Sequence, residues 1–225
     1  MLRELINMWR AEKHEELCGA IEEFSSMIGD VEVVFDLSWE VFSGRKSLRD
    51  TKQKIIDRDI AVNKHERSIR RLLMEHLAIN PRQDVPGCLA LMSIVKDAER
   101  MGDYAKNIMD MAQETNGSQT SYKYFATLES IQGRIKTNLA KLKKAYEDSD
   151  GDLASEILGV YAPIKNECKT LISSLLKESL TTQEAVATAL VAKYLGRVGS
   201  HMGNIASGII YPLDKIDFVG HDAEE

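Results

Sequence analysis

The sequence predicts an all-α protein built as two tandem antiparallel three-helix bundles, six helices in total. Three observations predict it. Apolar residues recur at helical spacing through long stretches. Examples are Leu17, Ile21, Phe24 and Ile28; Ile94, Ala98, Met101, Ala105 and Ile108; and Ile131, Ile135, Leu139 and Leu142. No segment sustains the two-residue alternation of a half-buried strand. The chain also repeats itself: a shift of 97 positions lays Arg100 on Arg197, Gly102 on Gly199, Asn107 on Asn204 and Ile108 on Ile205.

The elements follow from the breaks. Ser43-Gly44 ends the first stretch, and Asn80-Pro81 with Asp84-Val85-Pro86 brackets a short turn. Asn116-Gly117-Ser118 ends the third stretch, and Asp148-Ser149-Asp150-Gly151-Asp152 ends the fourth. Leu180-Thr181-Thr182 separates the fifth and sixth, and Pro212 closes the sixth. Helices are therefore expected near 2–42, 45–79, 86–115, 120–148, 152–179 and 182–211. Short loops make neighbours antiparallel. The repeat divides the chain into a first bundle over 1–116 and a second over 117–212, joined near 116–120, with a polar tail over 213–225. Pro163, inside the fifth helix, is expected to kink it.

Composition narrows the function classes. With 225 residues, 44% hydrophobic and 28% charged, the chain can bury real cores and is not disordered. No run of about 18 apolar residues occurs, so no membrane span is expected. The N-terminus does not read as a signal peptide. Cys18, Cys88 and Cys168 are far apart and lack metal or redox spacing, which suits buried thiols in a reducing compartment. A net charge of −6 argues against general nucleic-acid binding. Residues 1–42 carry a net −7 and residues 45–82 a net +6, as complementary neighbouring helices would.

The chemistry sits in the repeat. Glu99, Asp103 and Asn107 step by four along the third helix and share one face. Asp59, Asn63 and Glu66 share a stripe of the second helix. Antiparallel pairing about the turn near residue 81 sets Asp59 level with Asp103, Asn63 level with Glu99, and Glu66 near Lys96. Oxygen donors at that density suit Mg, Mn, Fe or Zn. The other reading is a solvated acidic face, with Arg58, Arg100 and Lys106 close enough to pair with it. No Glu-x-x-His, His-Glu-x-x-His, Gly-x-Ser-x-Gly, Walker or Gly-x-Gly-x-x-Gly motif occurs, so no enzyme is expected. The absence of a Gly-rich phosphate loop argues against direct phosphate binding.

In the second copy Glu99 becomes Gly196 and Asp103 becomes Ser200. Gly196, Ser200, Gly203 and Ser207 then form a stripe of small residues. Glycine within a helix costs about 1 kcal/mol relative to alanine. A close contact is the expected return, either within the second bundle or across a homodimer.

The run Asp97-Ala98-Glu99-Arg100-Met101-Gly102-Asp103-Tyr104-Ala105-Lys106-Asn107-Ile108 resembles the signature of the PhoU family of phosphate-uptake regulators. Asp59 through Ile69 and Asn80-Pro81-Arg82-Gln83-Asp84 resemble the family's second helix and helix turn. Tyr194 through Ile205 is similar to its second repeat. The resemblance implies a cytoplasmic, non-enzymatic protein at the inner membrane surface, acting on a phosphate transporter and its sensor histidine kinase, with a homodimer as the expected assembly. It also implies an iron or zinc site, with manganese or magnesium as the alternative. Its ligands would be Glu99, Asp103 and Asn107, faced by Asp59 and Asn63. Tyr104 stands where the family usually has His. Gly196 and Ser200 depart from the pattern, and at most His201 and Asn204 remain of a second site.

Overall fold

The computed structural model describes residues 2–12, 15–80, 84–115 and 119–216. Among the described residues seven α-helices run in order: α1 Leu2–Glu12, α2 Glu15–Phe42, α3 Leu48–Ile79, α4 Val85–Glu114, α5 Phe125–Glu147, α6 Gly151–Leu175 and α7 Thr182–Ile210. A 3-10 turn follows at Leu213–Lys215. No strand occurs among the described residues.

The first stretch departs from the single helix expected over 2–42. In one straight helix Trp9 and Cys18 would stand about 13 Å apart. Instead the Cys18 thiol donates to the Trp9 carbonyl at 3.6 Å, so α1 folds back from α2. Lys13 and His14, between them, lie outside the described residues. The reason is a second anchor. Ile6 and Trp9 are buried, and the Trp9 indole donates to Asp84 Oδ1 at 2.6 Å. His76 Nε2 holds Asp84 Oδ2 at 3.0 Å. Asp84 opens α4 in the left-handed region at φ 61°. A Cβ on Gly87 would stand 2.5 Å from the Trp9 ring, so this glycine admits the indole.

Helices α2, α3 and α4 pack on one another, as do α5, α6 and α7. Charge follows the seam between acidic α2 and basic α3: Arg58 pairs with Asp30 at 2.6 Å, and His65 with Glu23. One hydrophobic core runs through both halves. Between α2 and α5 it includes Phe24 edge-on to Tyr146 at 4.7 Å and Trp39 stacked on Phe125 at 5.7 Å. Lys136 ties α5 to Asp36 of α2 at 2.7 Å.

Caps set the other boundaries. The Asp150 side chain accepts from the Asp152 and Leu153 amides to start α6, and Thr181 accepts from Glu184 to start α7. Helix α5 begins later than 120, because residues 119–124 form turns, one of them tied by the Gln119 amide to the Phe42 carbonyl. Helix α6 continues through Pro163. Beyond α7 the chain stays attached: Ile216 is buried and lies near Gly208. The remainder of the expected tail, 217–225, lies outside the described residues.

Candidate functional site

The two copies of the repeat build two grooves: one between α3 and α4, the other between α6 and α7. In the first, Asp59, Glu66, Glu99 and Asp103 do come together, but not around an open space. Lys106 lies between the helices, its ammonium 2.7 Å from Asp59 Oδ2 and 3.7 Å from Asp103 Oδ1. Lys96 does the same nearly three turns earlier on α4, 2.8 Å from Glu99 and 3.7 Å from Glu66. Arg70 closes on Glu66 at 2.8 Å.

The electrostatics explain why lysines settle there. Burial and the neighbouring Glu99 carboxylate push the Asp103 pKa above its usual value, and Asp59 adds to this while Lys106 and Lys96 oppose it. Like charges within a few ångströms disfavour ionisation. Burial works against the Lys106 ammonium, but the Asp59 hydrogen bond and charge outweigh it and raise its pKa. The lysine therefore stays charged and acts as the counter-ion of the stripe.

The other expected ligands stand aside. Asn63 donates its side-chain amide to the Asp59 carbonyl of its own helix at 3.0 Å. Asn107 is half-buried, and its side chain makes no hydrogen bond among the described residues. Arg58 reaches back to Asp30 instead of into the stripe, and Arg100 is exposed. No group of three or more His, Cys, Asp and Glu side chains among the described residues is set to hold a metal ion. As arranged, the carboxylate oxygens face two ammonium groups, and a cation would take the place of both.

The second groove is reversed in charge. Gly196 and Ser200 leave room where the first copy carries Glu99 and Asp103. A Cβ on Gly196 would lie 3.3 Å from the Cys168 Cβ, one on Gly199 3.3 Å from Ile164, and one on Gly203 2.8 Å from the Tyr161 ring. Gly196 and Gly203 of the stripe thus face α6. Ser207 is buried and donates to the Asn204 carbonyl at 2.6 Å. One turn on, a Cβ at Gly208 would meet Ile94 of α4 at 2.6 Å. Ser200 donates back to the Gly196 carbonyl at 2.9 Å.

What survives of the second motif joins the two copies. Asp97 of α4, 5% exposed, accepts from His201 Nδ1 at 2.6 Å and from Asn204 Nδ2 at 2.9 Å through one oxygen. Tyr104 stacks on His201 with ring centroids 5.7 Å apart, and on Tyr194 at 6.2 Å. This cluster was not anticipated from the sequence, although Asp97, His201 and Asn204 all stand inside the quoted runs.

Among the described residues the chain is a helical bundle with two oppositely charged grooves. The PhoU domain model matches residues 24–112, which span α3, α4 and the larger part of α2. A PhoU homologue of Deinococcus radiodurans, named a phosphate-specific transport system accessory protein, is 22% identical over 192 residues, covering 83% of this chain and 89% of that protein. A Pseudomonas aeruginosa protein of the same name is 24% identical over 73% of this chain and 71% of its own length. The crystal structure of PhoU from Pseudomonas aeruginosa superposes with a TM-score of 0.78 over 90% of this chain and 97% of that one, at 22% identity. PhoU from Streptococcus pneumoniae superposes with a TM-score of 0.71 over 88% and 96%, at 19% identity. The chain thus shares the fold of the PhoU crystal structures, and its segment 24–112 is similar to the PhoU domain.

Proposed function

We propose that this chain is a regulatory accessory protein of a phosphate-uptake system, working by binding and not by catalysis. The observation that carries the reading is that relatives matching most of both chains are named phosphate-specific transport system accessory proteins. The partner is a phosphate transporter at the cytoplasmic face of the membrane, with its sensor histidine kinase as a second partner. No helix among the described residues is long and apolar enough to cross a membrane itself. The docking element is the α3–α4 face, where the Asp103 side chain stays 49% exposed on a stripe stiffened by Lys96 and Lys106. Reversing it with Glu99→Lys and Asp103→Lys should abolish control of phosphate uptake in a strain carrying only that copy, with helical content unchanged. Normal control by the folded variant would contradict the docking assignment.

A second reading keeps a metal. It is favoured by the mutual crowding of Glu99, Asp103 and Asp59, which an ion could relieve in place of the lysines. Its ligands would be Glu99, Asp103 and Asp59, with Asn63 and Asn107 to be recruited. Elemental mass spectrometry on tag-free protein purified without chelator separates the two. Stoichiometric iron, zinc or manganese, lost in Glu99→Gln/Asp103→Asn, supports the metal; folded, metal-free, regulating protein supports the lysine-neutralised face.

A further inference from the structure

The α6–α7 groove holds cations that no acidic side chain among the described residues matches. Lys165 and Lys169 line it from α6, Lys193 and Arg197 from α7, around a space of about 430 Å³. Its floor is Cys168, Ile172, Ala192 and Gly196, and Ser173 and Ser200 complete the lining. No acidic side chain lines it.

The absence of partners is systematic. On a helix, a charge is matched by neighbours three or four residues away. Lys165 has Tyr161, Ala162, Cys168 and Lys169 at those places; Lys169 has Lys165, Asn166, Ile172 and Ser173. Lys193 has Ala189, Leu190, Gly196 and Arg197; Arg197 has Lys193, Tyr194, Ser200 and His201. Not one is acidic. Across the helices nothing compensates, since none of the four makes an ion pair or side-chain hydrogen bond among the described residues. Nearby acids are spent elsewhere: Glu167 of α6 pairs with Arg134 of α5, and Glu178, beyond the end of α6, with Lys123 at 2.7 Å. The four bases are solvent-exposed, so a ligand can reach them.

Four like charges around one concavity repel one another and raise the local potential, even on a chain of net charge −6. Phosphate oxygens suit them, because Arg197 offers a planar fork and the lysines offer mobile point charges. The space falls within the few hundred cubic ångströms typical of small-molecule sites. Its apolar floor suits a ligand with an uncharged body as well as phosphates. The Cys168 thiol on that floor, 3% exposed with its pKa pushed up to about 11 by burial, is neutral and does not repel an anion.

We infer that the α6–α7 groove binds a phosphorylated small molecule of about nucleotide size, its phosphates held by Lys165, Lys169, Lys193 and Arg197 and its body resting on Cys168, Ile172 and Ala192. The second copy has thus exchanged a carboxylate face for an anion site. This route uses side-chain charge, which a search for a Gly-rich loop does not detect. It goes beyond the accessory role and does not depend on it, since the groove is in the other repeat from the docking face.

The test is calorimetric titration of the full chain in 150 mM NaCl with ATP, pyrophosphate, inorganic phosphate and sulfate, beside vesicles containing phosphatidylglycerol. Saturable one-to-one binding of ATP or pyrophosphate is expected, weakened at least tenfold in Lys169→Gln/Arg197→Gln and accompanied in the parent by a rise in Tm of about 3 °C at saturating ligand. Tighter binding of ATP than of pyrophosphate would show that the apolar floor is used. The inference is overturned by no binding of any soluble probe at millimolar concentration, by equal binding in the variant, or by vesicle binding alone. Both substituted residues are exposed, so the variant should fold, and unchanged helical content verifies that.

Discussion

The groove between α3 and α4 and the groove between α6 and α7 descend from the same repeated frame, yet they treat charge in opposite ways. The first gathers four carboxylates and inserts two lysines between them. The second discards the carboxylates, leaves its bases unmatched, and lets α6 approach α7 across Gly196, Gly199 and Gly203. The difference teaches that a duplicated helix pair can keep its backbone while its charges are rewritten. Apolar burial sets the backbone, and only a few groove positions set the electrostatics. The surviving polar residues of the second motif, His201 and Asn204, are engaged by Asp97, so the second copy serves in part as a joint to the first.

That joint offers the largest expected effect. Asp97→Ala leaves a buried imidazole and a half-buried amide without their acceptor, which should cost about 2 kcal/mol in urea denaturation. Asp97→Asn, which keeps one acceptor oxygen, should cost less. If Asp97→Ala is neutral, the joint between the copies rests on apolar packing alone.

A smaller effect tests the close approach in the second groove. Gly203→Ala gains about 1 kcal/mol of helix propensity, but its Cβ meets the base of the Tyr161 ring at 2.8 Å. A net loss of about 1 kcal/mol is expected. In the first groove, Gly102→Ala meets Val62 and Val31 at no less than 3.5 Å and should be neutral or stabilising. Equal losses at both positions would remove the contrast in helix spacing.

The smallest effect is electrostatic. The folded-state pKa of Asp103 is raised, so its ionised form opposes folding at neutral pH, and the penalty is relieved as pH falls through that raised value. Because the side chain is half exposed, Asp103→Asn should stabilise by no more than about 0.5 kcal/mol at pH 7, with the gain vanishing below about pH 4. A loss at pH 7 would mean that the bond to Lys106 outweighs the crowding.

Much of this was legible in the residues. Helical periodicity, turn residues and the repeat located six of the seven helices, because long amphipathic stretches broken by Gly, Pro and Asp leave little freedom. The division of the first stretch was not legible: the Trp9–Asp84 bond joins residues far apart in the chain, and local pattern carries no sign of it. The facing of Asp59 and Asp103 could be reasoned from the length of the turn. The same pairing sets Lys96 near Glu66 and Lys106 close to the acids, but the choice of Asp59 as the nearest partner of Lys106 depends on side-chain packing across the helices. The basic groove is not legible as a motif, because its four bases come from two helices and only packing brings them around one space.

The most direct test of the contrast is to denature two double variants side by side in urea at pH 7. Lys96→Met/Lys106→Met leaves the carboxylate groove without counter-ions and should lose about 1–2 kcal/mol. Lys169→Gln/Arg197→Gln relieves repulsion in the basic groove and should lose nothing, or gain slightly. Equal losses from the two variants would contradict the account, because they would mean that the bases of the second groove are matched as fully as the lysines of the first.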